Sequence, residues 1–142
     1  MKKLVSAVLV ILMILSFCAC GKSENTEKTE SELWNDAVVT EDKEYGQGEK
    51  TITLKVVAED KSVVLTVRTD ADFLGRALLD NEIIDGDMGE YGMYIKYVNG
   101  MRADYDLDGA YWALTKNGEM LSTGADQVEI SDGESYEFTY TK

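Results

Sequence analysis

"TITLKVVAEDKSVVLTVR", residues 51–68, sets two aliphatic runs around a polar break, and its period decides what kind of domain follows. Ile52, Leu54 and Val56 recur at every second position, which places them on one face of a strand; a helix would require steps of three and four. Glu59 to Lys61 interrupt the run and Ser62–Arg68 resumes it, so the stretch reads as a β-hairpin. Downstream, Thr69 or Asp70 can cap a helix whose inward stripe is Phe73, Leu74, Ala77 and Leu78, with Asn81 as its stop. Gly75 inside it costs about 1 kcal/mol against alanine, so this helix requires tertiary packing. The stretch IIDGDMGEYG, residues 83–92, reads as turn-rich. Alternation then returns, with Met93, Ile95 and Tyr97 facing one way and Tyr94, Lys96 and Val98 the other. Asn99-Gly100 and Asn117-Gly118 are hairpin signals because both residues tolerate positive φ, and the strand AYWALTK lies between them. Asp132-Gly133 precedes a last strand in which Tyr136, Phe138 and Tyr140 share a face. The expectation is an α+β domain over residues 49–142: one helix and five or six short antiparallel strands. The chain has no proline, so glycine, asparagine and aspartate set its turns.

Upstream of this domain, Lys2 and Lys3 precede an apolar run from Leu4 to Phe17, and small Ala19 stands before Cys20. That order predicts a lipoprotein signal peptide over residues 1–19, cleavage before Cys20 and lipidation of the Cys20 thiol. The alternative, an uncleaved anchor, needs about 20 apolar residues, more than this run supplies. Cleavage removes Cys18 and leaves a single, acylated cysteine, so no disulfide framework is expected. Residues 20–48 are polar and acidic, and are expected to form a flexible tether with a reach of roughly 30 Å. Leu33, Trp34, Val38 and Val39 interrupt that polarity, either as a helical turn or docking patch or as a merely local cluster. The predicted location is the extracytoplasmic face of the cell membrane, held there by the N-terminal lipid.

Composition excludes several functions. The 27 acidic residues outnumber 14 basic ones, for a net charge of −13, and such a surface repels nucleic acid while favouring cations or basic partners. No histidine is present, which removes Ser-His and Cys-His nucleophilic machinery and His-bearing zinc sites. Among the many carboxylates no pair stands out by spacing, so an enzyme is not expected.

The order of elements carries a further implication. A strand pair, the helix DFLGRALL, the strand GMYIKYVNG and then YWALTKNGEMLSTGADQVEISDGESYEFTY resemble the small β-domain of the transcobalamin and intrinsic-factor type and its bacterial surface relatives, over roughly residues 51–140. The resemblance implies a grasp-like antiparallel sheet with one helix that closes over one side of a corrin ring. It places ligand contacts on the strand edge at Tyr111, Trp112 and Leu114 and on the loop Ser122, Thr123 and Gly124, with cobalamin or another corrinoid as the ligand. A flat macrocycle can indeed be held by an aromatic face, an apolar strand edge and short hydroxyls or backbone amides. A surface lipoprotein of this kind would hand its ligand to a transporter. The cobalamin carriers enclose their ligand with a second, larger helical domain for which this sequence has no counterpart, and half a site binds more weakly. Tyr111 and Trp112 can alternatively be packing residues, as strand aromatics mostly are. A different function, an adhesion or assembly module that binds a surface protein, suits the acidity equally well.

The segment DYDLDGAYW, residues 104–112, spaces Asp104, Asp106 and Asp108 as in the first half of a calcium loop, with Gly109 for the sharp turn. The second half departs from that pattern. Its twelfth position is Thr115 instead of glutamate, and a strand stands where an exit helix belongs. A looser Ca2+ site completed by water and a plain acidic turn both remain, and the missing glutamate favours the turn.

Overall fold

Hydrophobic alternation at residues 51–68 produces the hairpin it predicts: β2 (Lys50–Ala58) pairs antiparallel with β3 (Lys61–Thr69) in unbroken register, Leu54 opposite Leu65. In this computed structural model residues 32–142 are described; the signal peptide expected over 1–19, Cys20 and the first part of the expected tether lie outside the described residues. Inward-facing Ile52, Leu54, Val56, Val63, Leu65 and Val67 are buried, each such side chain contributing about 1.5–3 kcal/mol. The last strand, β9 (Ser135–Thr141), lies parallel to β2, and β7 (Tyr111–Lys116) lies antiparallel to β9. Together with β1 (Lys43–Gly46) and β8 (Glu119–Met120) they form a six-stranded sheet in the order β1-β3-β2-β9-β7-β8. The class is α+β, as expected, and the sheet is mixed, because β1–β3 and β2–β9 run parallel.

Three further strands, β4 (Ile84–Gly89), β5 (Gly92–Val98) and β6 (Met101–Arg102), make a second antiparallel sheet. Residues 83–92 are therefore mostly strand, although their composition reads as turn. Gly86 is the reason: a Cβ there would collide with the Tyr94 carbonyl, so only glycine lets β4 lie against β5, across a bulge at Asp85/Gly86. Asn99-Gly100 and Asn117-Gly118 form the predicted turns, with all four residues at positive φ.

The helix is α2 (Leu74–Asp80), stopped at Asn81 as expected. Neither Thr69 nor Asp70 caps it. Thr69 Oγ1 accepts the Ala71 N–H and Asp70 Oδ1 accepts the Glu49 N–H, while the Leu74 N–H is satisfied by the Val128 carbonyl at 2.8 Å. Phe73 stays exposed, so the inward stripe is Leu74, Ala77 and Leu78. Gly75 brings the helix against the 3-10 turn at Ala125–Gln127, where a Cβ would stand 2.8 Å from Asp126 Cα.

The tether expected over residues 20–48 ends sooner than composition indicates. Residues 32–48 belong to the fold: α1 (Glu32–Asn35) places Trp34 in the core at 6 % exposure, and its indole N–H donates to the Ala58 carbonyl at 2.9 Å. Burial of that one aromatic, together with pairing of β1 to β3, outweighs the local polarity. Asn99, 2 % exposed, fastens the strap that follows: its backbone carbonyl accepts the Val38 N–H, and its side chain bonds both the N–H and the carbonyl of Val39.

Candidate functional site

β8 covers only the last part of β7. Pairing reaches Thr115 opposite Met120, and one more bond, from the Leu121 N–H to the Leu114 carbonyl at 2.9 Å, closes the ladder. Backbone polarity alternates along a strand, so Trp112, two residues before Leu114, turns its N–H and carbonyl to the same edge, where no strand pairs with it among the described residues. This open edge faces β5 of the second sheet across a cleft of about 310 Å³.

Five of the six residues that the family resemblance singles out line this cleft: Tyr111, Trp112, Leu114, Thr123 and Gly124. Ser122 lies exposed in the same loop and is not part of the lining. Met93 and Ile95 supply the opposite wall, and Phe138 lies beside Leu114. Sequence reasoning missed Asp126, whose Oδ1 accepts the Met93 N–H at 2.8 Å and so ties the 122–126 loop to β5. The close approach explains Gly124, where a Cβ would come within 2.5 Å of that oxygen.

Trp112 serves both of its alternative readings at once. It is only 7 % exposed and meets Tyr140 edge to face, with centroids 5.7 Å apart at 75°, yet it also lines the cleft. Its indole N–H is buried and has no hydrogen-bond partner. A buried unpaired donor costs about 1–3 kcal/mol.

The other end of β7 is closed by a clasp. Lys116 Nζ pairs with Glu134 Oε1 at 2.6 Å, the Tyr136 hydroxyl and the Ser131 N–H donate to Glu134 Oε2, and the Lys116 ammonium stands over the Tyr136 ring. The bonds from Lys116 and Tyr136 hold the Glu134 carboxyl down at about 2, while burial, and then the Glu134 carboxylate, raise the Tyr136 hydroxyl above its ordinary value.

The acidic segment 104–112 makes one helical turn, α3 (Tyr105–Asp108), with Gly109 in the left-handed region at φ 66°. Asp104 caps it, accepting the Asp106 N–H at 3.1 Å, and pairs with Lys96 at 3.4 Å; Asp108 turns instead to Arg102, at 3.1 Å. Asp104 and Asp108 thus serve separate partners, and the Asp106 carboxylate joins neither. Calcium takes six to eight oxygens around one point, and among the described residues no three Asp, Glu, Cys or His side chains converge to hold an ion. The residues present do not fit the cation. Lys96 also reaches Asp87 at 2.9 Å, and that bond, ahead of its attraction to Asp104, raises its pKa.

Comparison with known proteins places the chain among relatives. A candidate metal-binding protein from Ruminococcus gnavus is 40% identical, with a TM-score of 0.62, and the match covers 66% of this chain and 98% of that one. Haptocorrin in complex with Cbi is 26% identical with a TM-score of 0.49, and the match covers 69% of this chain and 26% of haptocorrin. No curated protein matches the sequence. The family described as a domain of unknown function, DUF4430, matches residues 72–142, which contain α2, the cleft and the clasp, and the chain belongs to this family.

Proposed function

We propose that this chain is a non-enzymatic binding module, lipid-anchored through Cys20 at the extracytoplasmic face of the cell membrane, that captures a small amphipathic ligand in the cleft between β5 and β7. A corrinoid is the ligand class that the sequence resemblance to the transcobalamin-type β-domain brings forward. One observation carries the reading: five residues chosen from that resemblance converge on a single, largely apolar cleft beside an unpaired indole N–H and an open strand edge. Such a surface suits a flat conjugated body with polar groups at its rim, the apolar face lying on Trp112 and Leu114 and an acceptor meeting the exposed backbone of β7. At about 310 Å³ the cleft can cover part of such a ligand but not enclose it, so modest affinity follows. The Ruminococcus gnavus relative is described as a candidate metal-binding protein. The dispersed carboxylates of segment 104–108 give that activity no support here.

Titration of the protein with cobinamide and cobalamin, followed by quenching of tryptophan fluorescence, tests the reading. Saturable quenching that Trp112→Phe weakens while Trp34→Phe leaves it intact is expected. Absence of a saturable signal up to about 1 mM ligand, the weakest affinity a specific site of this kind would show, rejects it. A second reading, a surface-protein assembly module, draws on the exposed Met88 and Tyr91 around the β4–β5 turn. Cross-linking on intact cells that captures a defined partner in wild type but not in Met88→Ser/Tyr91→Ser supports that alternative.

A further inference from the structure

A larger depression, of about 470 Å³, lies where the strap, the end of α2 and the second sheet meet. Its walls are Val38 from the strap, Leu79 from the helix, Ile83 and Ile84 from the start of β4, and Tyr97 from β5; none of these lines the cleft described above. Its charged lining residues are Glu82 and Asp85, both acidic, and no lysine or arginine lines it. We propose that this depression binds an organic cation, an alkylated ammonium group carried on an apolar body.

Three features support this occupant. First, Val38 is held open to solvent by fixed backbone instead of being left there by slack. Val38 is 66 % exposed, although its N–H is bonded to the Asn99 carbonyl at 2.9 Å and its neighbour Val39 is bonded twice by the Asn99 side chain. The Asn99 N–H in turn donates to the Ile83 carbonyl at 2.8 Å, so one buried residue joins the strap to the foot of β4. Gly100 permits this approach, since a Cβ there would collide with the Asp36 carbonyl. A preorganised apolar surface avoids the ordering cost that weakens most exposed sites.

Second, one of the two acid groups stands where the backbone would favour another residue, and neither is ion-paired among the described residues. Glu82 ends the helix at φ 56°, with its N–H on the Leu79 carbonyl and the Ile83 N–H on the Leu78 carbonyl, a position where glycine or asparagine would be less strained. Among the described residues Glu82 and Asp85 form no ion pair. Asp85 Oδ1 takes the neighbouring Gly86 N–H at 2.8 Å.

Third, Tyr97 stands directly opposite Asp85 across the β4–β5 pair and is 39 % exposed, which offers a ring beside a carboxylate. An aromatic face and a carboxylate together suit a weakly hydrated cation: the ring quadrupole attracts the charge, and alkyl groups on the nitrogen replace water against the exposed Val38 and Leu79. Arg102, opposite Tyr97 on β6, is a competing cation, and both of its bonds to Asp108, at 3.1 and 3.2 Å, draw it towards α3. The net charge of −13 adds a general attraction for cations. A volume of about 470 Å³ lies in the range of small-molecule sites and accommodates a single-ring ammonium compound.

The test uses benzyltrimethylammonium as probe and its uncharged carbon isostere as control, titrated into the full-length protein and followed by NMR. Saturable shifts at the methyls of Val38, Leu79 and Ile84 and at the Gly100 amide are expected, with a dissociation constant on the order of 1 mM and an isostere at least about fivefold weaker. Glu82→Gln/Asp85→Asn should weaken the probe about fivefold or more and reduce its salt dependence, and Tyr97→Leu should weaken it about threefold. All three side chains are exposed, so the variants should keep the wild-type spectrum elsewhere, which the same experiment reads. Equal binding of probe and isostere, unchanged affinity in the carboxamide variant, or shifts confined to residues 111–124 would each overturn the proposal.

Discussion

The two ends of β7 have opposite characters. At Lys116 the ammonium has a partner, and the Glu134 carboxylate gathers that ammonium, a hydroxyl and a backbone N–H. At Trp112 the indole N–H has none, the strand edge is uncovered and a cleft opens beside it. Six residues of one strand thus separate a paired, charged clasp from an open edge beside a cleft. Unpaired polarity in a buried position destabilises a fold, so the two ends of one strand contribute to stability with opposite sign.

Phe138 lies between the two ends, fully buried opposite Leu114 and also facing the cleft, and so joins them. Phe138→Ala should cost about 3–5 kcal/mol in urea denaturation and abolish ligand quenching as well. Glu134→Gln should separate the ends: a loss of about 1–2 kcal/mol, discounted for its partial exposure, with the cleft's binding unchanged.

The same residue gives the contrast a pH signature. A carboxyl held at about 2 in the folded protein against an ordinary 4.5 stabilises the fold above pH 4.5, and that stability is lost as pH falls from 4.5 towards 2. Tyr136 acts at the other extreme. Its raised hydroxyl contributes stability that is complete below pH 10.0 and declines as pH rises beyond it. Unfolding measured across pH 2 to 5 should therefore show a steeper acid loss in wild type than in Glu134→Gln.

Trp112→Phe is the reciprocal change, with a smaller effect on the fold. The smaller phenyl ring removes the unpaired N–H but leaves a void, two effects that oppose each other, so stability should stay within about 1 kcal/mol of wild type while ligand binding weakens. Smallest of all, added calcium should leave the melting temperature unchanged, because Asp104 and Asp108 are held by Lys96 and Arg102; a rise that disappears in Asp106→Asn would reinstate the metal site.

Much of this was legible in the residues. Period-two alternation located β2, β3, β5 and β9, and the two Asn-Gly pairs located their turns, because both signals are local. What escaped was decided at long range. The parallel pairing of β2 with β9 joins residues some eighty positions apart, beyond any local pattern. β4 was hidden because Gly86 and its acidic neighbours resemble a turn, and only the Tyr94 carbonyl pressing on Gly86 explains the glycine. Trp34 was a lone aromatic in an acidic stretch, and nothing in the sequence indicates that the Ala58 carbonyl awaits its N–H. At the site, Tyr111, Trp112, Leu114, Thr123 and Gly124 came from family resemblance. The bond from Met93 to Asp126 that shapes the cleft came only with the fold.

The buried indole of Trp34 has a practical consequence for anyone dissecting this protein. A fragment trimmed to begin at Thr51, where composition turns globular, would lose β1 and bare the backbone edge of β3, a template for intermolecular pairing. It would also leave a void against Ala58 where the ring had been and deprive Asn99 of the backbone it binds. Truncations intended to isolate the recognition surface should retain Glu32 onward, since shorter ones invite aggregation that would be mistaken for loss of binding.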